Sequence, residues 1–339
     1  MQEPTTDTEL AKCLVDAVQA SRPIHLGQTL STRAMTRVLQ YEPRDLTISV
    51  EAGLRYSELT RLLAADGLMI PLDPPWADTA TVGGVIAANL SGPRRRLYGT
   101  ARDLVIGMRF VTLDGALVDT GGMVVKNVAG LDMAKMLIGS FGTLAVIASV
   151  NCKLIPLPKQ SRTLVFEFDR VSDAFALRDR VLRSILPVAA LDILNPAAAQ
   201  GKWQVALRAV TAVERYGVEF PGGRDVDCVP FWTRIQEFTP SYLAGHPTAV
   251  VTRYSTTHTA MPALMEALGD APAVARAGNG VVYAYNARAL ETAKRVIEFG
   301  PPGIERWPFP GPDLALMQLV KNMLDPQGLL NPGALYGRI

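Results

Sequence analysis

The sequence predicts an α+β protein with two domains and a C-terminal segment, and three observations support this prediction. The chain has 339 residues, of which 48% are hydrophobic, so it is long enough to form two cores. Strand-like and helix-like runs are mixed along it. Prolines at 156 and 158 end a long strand-like run, and after them strand-like runs alternate with helix-like runs. We therefore expect domains over residues 1–158 and 159–310, followed by a segment over 311–339.

The elements of the first domain follow from hydrophobic periodicity and turn residues. An apolar face predicts a helix over residues 8–20, and Asp114-Gly115 predicts a hairpin. Gly67 stands where a C-cap is expected after an amphipathic run. The predicted helices are 8–20, 56–66 and 133–139, and the predicted strands are 46–51, 105–112, 116–120 and 143–155.

The second domain mixes both kinds of element and ends in a proline-rich stretch before a last helix. The predicted strands are 163–168, 189–194, 204–210, 249–255 and 281–286. The predicted helices are 171–186, 231–238, 261–268, 288–299 and 313–324.

Composition excludes several classes of protein. A net charge of +2 does not indicate a nucleic-acid partner. The 3 cysteines and 3 histidines show no ligand spacing, so we expect no metal site and a reduced, cytoplasmic setting. No apolar run reaches the length of a membrane span, and residues 1–7 do not resemble a signal peptide. Neither G-x-G-x-x-G after a strand nor a P-loop is present, which removes the main support for Rossmann and P-loop functions.

The most informative segment is glycine-rich and covers residues 74–95. Glycines at 83 and 84 allow close backbone approach to a flat or anionic group, and Thr81 is a good N-cap for a helix that begins there. A glycine-rich turn packed against a sheet explains the segment equally well when it is taken alone. The adjacent arginines 94–96 form either a solvated loop or an anion clamp.

Four blocks in order, residues 74–95, 98–103, 126–144 and 321–333, resemble the FAD domain of the vanillyl-alcohol oxidase and p-cresol methylhydroxylase family. Within these blocks, the sequences at residues 91–95 and 126–130 are most similar to the small FAD-binding (E) subunit of bacterial glycolate oxidases. The resemblance implies a two-subdomain, PCMH-type FAD-binding domain over 1–158. It also implies an α+β cap domain over 159–310, with residues 311–339 returning to the FAD domain.

The same resemblance implies a set of FAD-binding residues, mostly small side chains and backbone N–H groups. Residues 81–84 would line the pyrophosphate and isoalloxazine, residues 140–146 would lie near the ribose and adenine, and Asp103 would begin a strand and anchor its loop. Converging N–H donors suit a dianionic pyrophosphate. The implied set is Gly27, Thr29, Pro75, Thr81, Val82, Gly83, Gly84, Asn89, Ser91, Gly92, Gly99, Thr100, Asp103, Gly130, Ser140, Gly142, Thr143, Val146 and Asn331.

The first loop departs from the family's R-G-G-G-T pattern, because residues 23–30 read P-I-H-L-G-Q-T-L. In one interpretation, the N–H groups of residues 27–29 and the Thr29 hydroxyl still bind FAD, and Arg94 or Arg95 replaces the missing phosphate contacts of the glycine-rich loop. In the other, the protein no longer binds the cofactor. We favour retained binding because the later blocks are intact. Some family members tether the flavin to a histidine in this loop, but the usual glycine context is missing around His25. Noncovalent FAD is therefore the prediction.

Candidate catalytic residues lie in the second domain. A 2-hydroxy acid substrate needs a cation for its carboxylate and a base near its hydroxyl. Arg253 and Tyr254 on a predicted strand and the nearby His258 are the candidates, and Arg208 is a further arginine on another strand. Arginines on such a sheet commonly face solvent or pair with acids, which is the alternative for each of them.

The resulting hypothesis is an FAD-binding subunit of a glycolate oxidase-like complex that oxidises glycolate or a related 2-hydroxy acid. Its implied partners are a larger FAD-binding catalytic subunit and an iron–sulfur subunit, through which it would associate with the inner membrane from the cytoplasm. One alternative is a self-sufficient FAD-dependent oxidase or dehydrogenase of another alcohol. The other is a non-catalytic scaffold subunit that has lost FAD.

Overall fold

The computed structural model describes residues 1–123, 132–288, 290, 294–301, 303–307, 311–337 and 339. The chain forms two compact units: the first comprises residues 1–91, 99–157 and 310–339, and the second comprises 92–98 and 158–309. These units differ from the predicted ranges at residues 92–98, which belong with the second unit because their helix packs against a strand there.

The strands and helices have the following bounds. The strands are β1 Val38–Glu42, β2 Thr47–Glu51, β3 Leu68–Met69, β4 Val105–Val111, β5 Leu117–Gly121, β6 Val146–Lys153, β7 Ile155–Pro156, β8 Arg162–Phe168, β9 Val188–Leu194, β10 Trp203–Ala209, β11 Arg224–Val226, β12 Val251–Ser255, β13 Ala273–Arg276, β14 Val281–Tyr285 and β15 Lys294–Phe299. The helices are α1 Asp7–Gln19, α2 Tyr56–Ala65, α3 Val82–Ala87, α4 Arg95–Tyr98, α5 Ala101–Leu104, α6 Met133–Leu137, α7 Val171–Arg183, α8 Pro196–Ala199, α9 Val213–Glu219, α10 Cys228–Gln236, α11 Phe238–Gly245, α12 Met261–Ala267 and α13 Leu314–Leu324. None of these described helices is long and apolar enough to cross a membrane.

The first unit is built on an antiparallel sheet with the order β1-β2-β6-β4-β5. The predicted hairpin is confirmed: β4 and β5 pair directly, and Gly115 in their turn has a φ of +82°. Both faces of the sheet are buried. One face carries the core that includes α2 and α3, and the other packs against α1 through Leu10 and Leu14. Loops at the edge of this sheet therefore rest on a rigid support.

The second unit contains a larger sheet with the order β11-β8-β10-β9-β13-β14-β12-β15. Side chains alternate between its faces. One face packs against α7 and α12, and the other carries a second apolar cluster beneath α10 and α11. The mixed α+β class predicted for this half is confirmed.

One element of the second unit was predicted wrongly. Residues 288–299 were expected to form a helix, but residues 294–299 form the edge strand β15, which pairs antiparallel with β12. Val296 and Ile297 are β-branched, and the free edge of β12 supplies their hydrogen-bond partners. The short strand β13, which lies between β9 and β14, was not predicted because four residues carry little periodic signal.

A surface arginine ties the first sheet to α1 and makes a small part of the stability depend on pH. Arg109 donates to Asp119 (2.8 Å) and to Asp7 (3.0 Å). The hydrogen bond from Arg109 lowers the pKa of Asp119 below its usual value near 4. This stabilisation is therefore present above that usual pKa and is lost as pH falls through the lowered one.

Replacing Arg109 by methionine should lower the free energy of unfolding at pH 7 by about 1 kcal/mol or less, since these groups are largely exposed. At pH 2 the same substitution should have a much smaller effect. Urea unfolding of both proteins at the two pH values measures the difference. An equal loss at both pH values would contradict this explanation.

Candidate functional site

The first unit contains a cleft of about 310 Å³ that brings together four distant parts of the chain. They are the first loop, the glycine-rich segment, the turn before β6 and one residue near the C-terminus. The lining residues are Leu26, Gly27, Leu30, Ser31, Thr32, Arg33, Thr79, Ala80, Thr81, Gly83, Gly84, Ala87, Ala88, Phe141, Gly142, Ala145, Val146, Ile147 and Asn331.

The glycine-rich segment forms one wall of this cleft. Thr81 caps α3 as predicted, and its Oγ1 accepts the N–H of Gly84 at 3.2 Å. The N–H of Gly83 donates to the carbonyl of Ala52 at 2.8 Å. A Cβ at position 83 would lie 2.7 Å from the Cβ of Ala52, so only glycine fits there. The segment packs closely beside β2, as expected for a glycine-rich turn against a sheet, and it also lines the cleft.

The first loop forms a closed turn. Thr29 accepts the N–H of His25 through its hydroxyl (2.8 Å), and the N–H groups of Gln28 and Thr29 donate to the carbonyl of His25. Gly27 donates to the carbonyl of Leu30 at 2.8 Å. The loop N–H groups and the Thr29 hydroxyl, which were expected to bind phosphate, are therefore already hydrogen-bonded within the protein.

Asn331 joins the first loop to the turn before β6. Its Oδ1 accepts the N–H of Leu26 (2.7 Å) and its Nδ2 donates to the carbonyl of Phe141 (2.8 Å). Gly142 lies beside it with a φ of +66°, and a Cβ there would approach Leu26 to 2.5 Å. Asn331 thus positions two walls of the cleft at once.

A buried ion pair holds the C-terminal segment in place beside the cleft. The Nζ of Lys321 donates to Asp325 (2.6 Å), to the carbonyl of Thr143 (2.7 Å) and to that of Leu330 (2.8 Å). Asp325 also accepts the N–H groups of Leu329 and Leu330. Every donor of the ammonium and both carboxylate oxygens are used, which offsets the cost of burying the two charges.

Sequence reasoning missed the cation that lines the cleft, Arg33. This residue also lines a neighbouring polar cavity of about 460 Å³, which shares Thr79 and Thr81 with the cleft. The cavity also contains Arg55. Within the described part of the chain, no carboxylate pairs with Arg33. An isolated arginine in a loop has no pattern that marks it as a ligand, so only the fold reveals its position.

The structure places part of the implied FAD-binding set in the cleft and part elsewhere. Gly27, Thr81, Gly83, Gly84, Gly142, Val146 and Asn331 line it. Thr29, Pro75, Val82, Asn89, Ser91, Gly99, Thr100, Asp103, Ser140 and Thr143 do not. Gly130 lies outside the described residues.

Several of the residues outside the cleft have structural contacts. Thr100 and Asp103 form a capping box at α5, so Asp103 anchors the loop as expected but lies in a helix rather than at the start of a strand. Thr143 is fully buried and donates to the carbonyl of Ser140 at 2.8 Å. Asn89 differs, because its Oδ1 is buried without a hydrogen-bond partner in the described structure. Such an orphaned acceptor is typical of a site that a ligand or water completes.

The segment after Ser91 belongs to a different unit from the cleft. Gly92 and the arginines 94–96 lie in the second unit, where Nη1 of Arg96 donates to the carbonyl of Gly278 at 3.3 Å. Their assignment as a flavin wall and an anion clamp stays a prediction.

The three candidate catalytic residues are not brought together. Arg253 pairs with Glu298 on β15. Tyr254, its neighbour on β12, points to the opposite face of the sheet, where it is fully buried and its hydroxyl accepts the N–H of Leu290 at 3.2 Å. His258 is exposed in the turn that follows. Adjacent strand residues cannot share a site on one face, which corrects the grouping made from sequence proximity.

Two family comparisons define the class of protein. Residues 20–121 match the FAD binding domain family, and residues 308–335 match the C-terminal domain of FAD linked oxidases. The solved structure of alkyldihydroxyacetonephosphate synthase shares the fold, with a TM-score of 0.73 at 16% identity over 97% of this chain and 75% of that one. The chain therefore carries a PCMH-type FAD-binding domain, and FAD is its cofactor.

Particular relatives narrow this class. The chain is 29% identical to glycolate oxidase subunit GlcE of Escherichia coli over 94% of its length and 89% of that protein. It is 33% identical to glycolate oxidase subunit GlcD of Bacillus subtilis and 36% identical to D-lactate dehydrogenase of Archaeoglobus fulgidus. These two matches cover about half of this chain, and the chain spans only 37% of each of those proteins. The similarity supports an FAD-linked oxidoreductase subunit of the 2-hydroxy acid oxidase type.

Proposed function

We propose that the chain is the FAD-binding subunit of a glycolate oxidase-like complex that oxidises glycolate or a related 2-hydroxy acid in the cytoplasm. The observation that carries this proposal is the cleft of the first unit, which joins the glycine-rich segment to the C-terminal segment through Asn331. Similarity to GlcE over most of the chain supports the same assignment.

The residues of the cleft fit FAD. Bare backbone lines the cleft at Gly83 and Gly142, where a Cβ would clash with Ala52 or Leu26, and such a surface suits a flat or extended group. Arg33 offers a cation for the pyrophosphate. When bound, FAD supplies the two-electron acceptor for the hydride of a 2-hydroxy acid. The chain's own residues hold and orient the cofactor.

The hydrogen bonds of the first loop support noncovalent binding of FAD. His25 is only half-buried, and its backbone is committed to the closed turn with Thr29. Neither its side chain nor its backbone is among the groups that line the cleft. A flavin in the cleft is therefore held by contacts rather than by a tether to this histidine.

The proposed partners are a larger FAD-binding catalytic subunit and an iron–sulfur subunit. The names of the relatives support a multi-subunit enzyme, since both GlcE and GlcD are glycolate oxidase subunits. The separation of Arg253, Tyr254 and His258 favours a role that depends on such a partner over self-sufficient oxidation.

The absorption spectrum of the purified chain, before and after acid precipitation, tests this proposal. We expect a flavin spectrum in the native protein and release of the flavin into the supernatant. Mass spectrometry of the released compound should identify FAD. A folded chain that stays colourless after incubation with FAD, both alone and with its partner subunits, would refute the proposal. Colour retained in the pellet would refute the noncovalent assignment.

A further inference from the structure

The last helix of the first unit, α13, presents large apolar side chains to solvent. Leu316, Leu319 and Met323 are 63%, 57% and 75% exposed, and their spacing of three and four residues places them on one face of the helix. We call these three residues the α13 face. Val320 and Leu324 lie on a different side of the helix and pack against the core. Single exposed apolar residues are common on soluble proteins, but a row of them on one helix marks an interaction site.

The exposed side of α13 also carries no charge. The only charged residue among Leu314–Leu324 is Lys321, which is buried in its ion pair. The exposed polar residue beside the row is an amide, Asn322. A solvated helix face normally carries charged residues, whereas the centre of a protein interface is depleted of them. The composition of α13 is therefore that of a buried interface on an exposed helix.

A cavity of about 320 Å³ continues the α13 face at the C-terminal end of the helix. Met323 and Leu324 line it from α13, Val18 lines it from α1, and Leu113 and Asp114 line it from the turn between β4 and β5. All of these residues belong to the first unit. An apolar row on a helix beside an apolar pocket is the arrangement that binds an amphipathic helix, with one anchoring side chain seated in the pocket.

Both ends of the α13 face are acidic. Asp313 is exposed directly before the first residue of the helix, and Asp114 is exposed at the cavity beyond its last turn. Hydrogen bonds from the Thr112 hydroxyl and the Ala116 N–H lower the pKa of Asp114 below its usual value near 4, so this carboxylate is charged at neutral pH. The other acid of the cavity, Asp325, is already neutralised by its buried ion pair. Among the described residues, no lysine or arginine lines the cavity.

These charges disfavour two of the possible occupants. Two copies of the chain that pair through α13 around a two-fold axis would bring Asp313 beside Asp114 when the helices are antiparallel, or Asp114 beside Asp114 when they are parallel. Either arrangement places like charges together. A membrane surface binds helices that flank their apolar face with lysine and arginine, and α13 exposes neither. A different protein chain that supplies its own cations fits both ends.

We propose that the α13 face and its cavity are the docking site for an amphipathic helix of the larger FAD-binding subunit. That helix carries apolar residues spaced i, i+3 and i+7, one of which enters the cavity. It carries a lysine or arginine toward each end, opposite Asp114 and Asp313. The inference rests on the proposed function for the identity of the partner subunit.

The test measures the affinity of the full, FAD-bound chain for its purified larger subunit, the GlcD homologue of the same organism, by biolayer interferometry. Leu319→Glu and Met323→Glu should each weaken binding by at least about 10-fold, as for an interface hot spot. Val218→Glu is the matched control, because Val218 is an exposed apolar residue on α9 of the second unit, and it should leave the affinity unchanged. Leu319→Ala removes the contact without adding a charge and should weaken binding by about 3- to 10-fold, which provides the same test if the glutamate variant does not fold.

Two further measurements test the charges and the occupant. Asp114→Asn keeps an acceptor for the turn and should weaken binding by about 2- to 5-fold, with a smaller dependence on salt than in the parent. A photoreactive phenylalanine derivative at position 316 should cross-link to a helix of the larger subunit that has cations toward both ends. A cross-link to a second copy of this chain or to phospholipid would overturn the inference.

Equal affinity of Leu319→Glu, Leu319→Ala and Val218→Glu for the larger subunit would also overturn it, as would a parent chain that does not bind that subunit. The flavin spectrum of each sample separates this result from a failure of the proposed function. Weakened binding with an unchanged flavin spectrum would support the docking site. A parent chain that binds the larger subunit through the α13 face but stays colourless would count against the proposed function and not against this site.

Discussion

Replacing Lys321 by methionine should lower the free energy of unfolding by about 3–5 kcal/mol, the range for removing one partner of a buried ion pair. Lys321 and Asp325 are both buried, and methionine would leave the Asp325 carboxylate without its cation. The carbonyls of Thr143 and Leu330 would also lose their donor. The C-terminal segment should then detach from the turn before β6, and FAD affinity should fall with it.

Urea unfolding of the flavin-free chain measures this loss without the contribution of the cofactor. Lys12→Met is the matched control, because Lys12 is an exposed lysine on α1 of the same unit. It should change the free energy of unfolding by less than about 0.5 kcal/mol. A loss below about 1 kcal/mol in Lys321→Met would show that the ion pair does not hold the segment.

Replacing Arg33 by alanine should weaken FAD binding by roughly 10- to 100-fold, the effect of one charged hydrogen bond. The first loop donates its N–H groups internally, so we propose the cation that lines the cleft as the main donor for the pyrophosphate. Flavin fluorescence titrations give the dissociation constant, and Arg44→Ala provides a control at an exposed turn residue.

Two further measurements separate a phosphate contact from a general change of structure. Arg33→Lys should keep a large part of the affinity, since the charge remains. The affinity of the parent should fall with added salt more steeply than that of Arg33→Ala. Equal FAD affinity in Arg33→Ala and Arg44→Ala would assign the phosphate to other groups, with Arg55 in the adjoining cavity as the next candidate.

The turns and helix caps of this protein could be predicted from its sequence, because the residues that determine them are close together in the chain. The Asp114-Gly115 turn places β4 beside β5, and Thr81 caps α3 through a hydroxyl three residues from its donor. The resemblance of the four blocks predicted an FAD-binding domain, which the comparisons confirm. Most of the elements predicted for the second domain from periodicity are also observed, but residues 294–299 form a strand instead of a helix, since their pairing with β12 overrides their local preference.

The site depended on contacts that no local pattern encodes. Asn331 reaches a loop that is 305 residues away, and its two hydrogen bonds determine which groups face the cleft. Arg33 stands out only through the position that folding gives it in the cleft. The alternation of a strand separates Arg253 from Tyr254 although they are adjacent in sequence. Sequence by itself therefore determined the family, the cofactor and the local turns. The tertiary structure decided which hydrogen-bond donors at the cleft remain available for a ligand, because whether a polar group has a hydrogen-bond partner depends on every neighbour that folding brings to it.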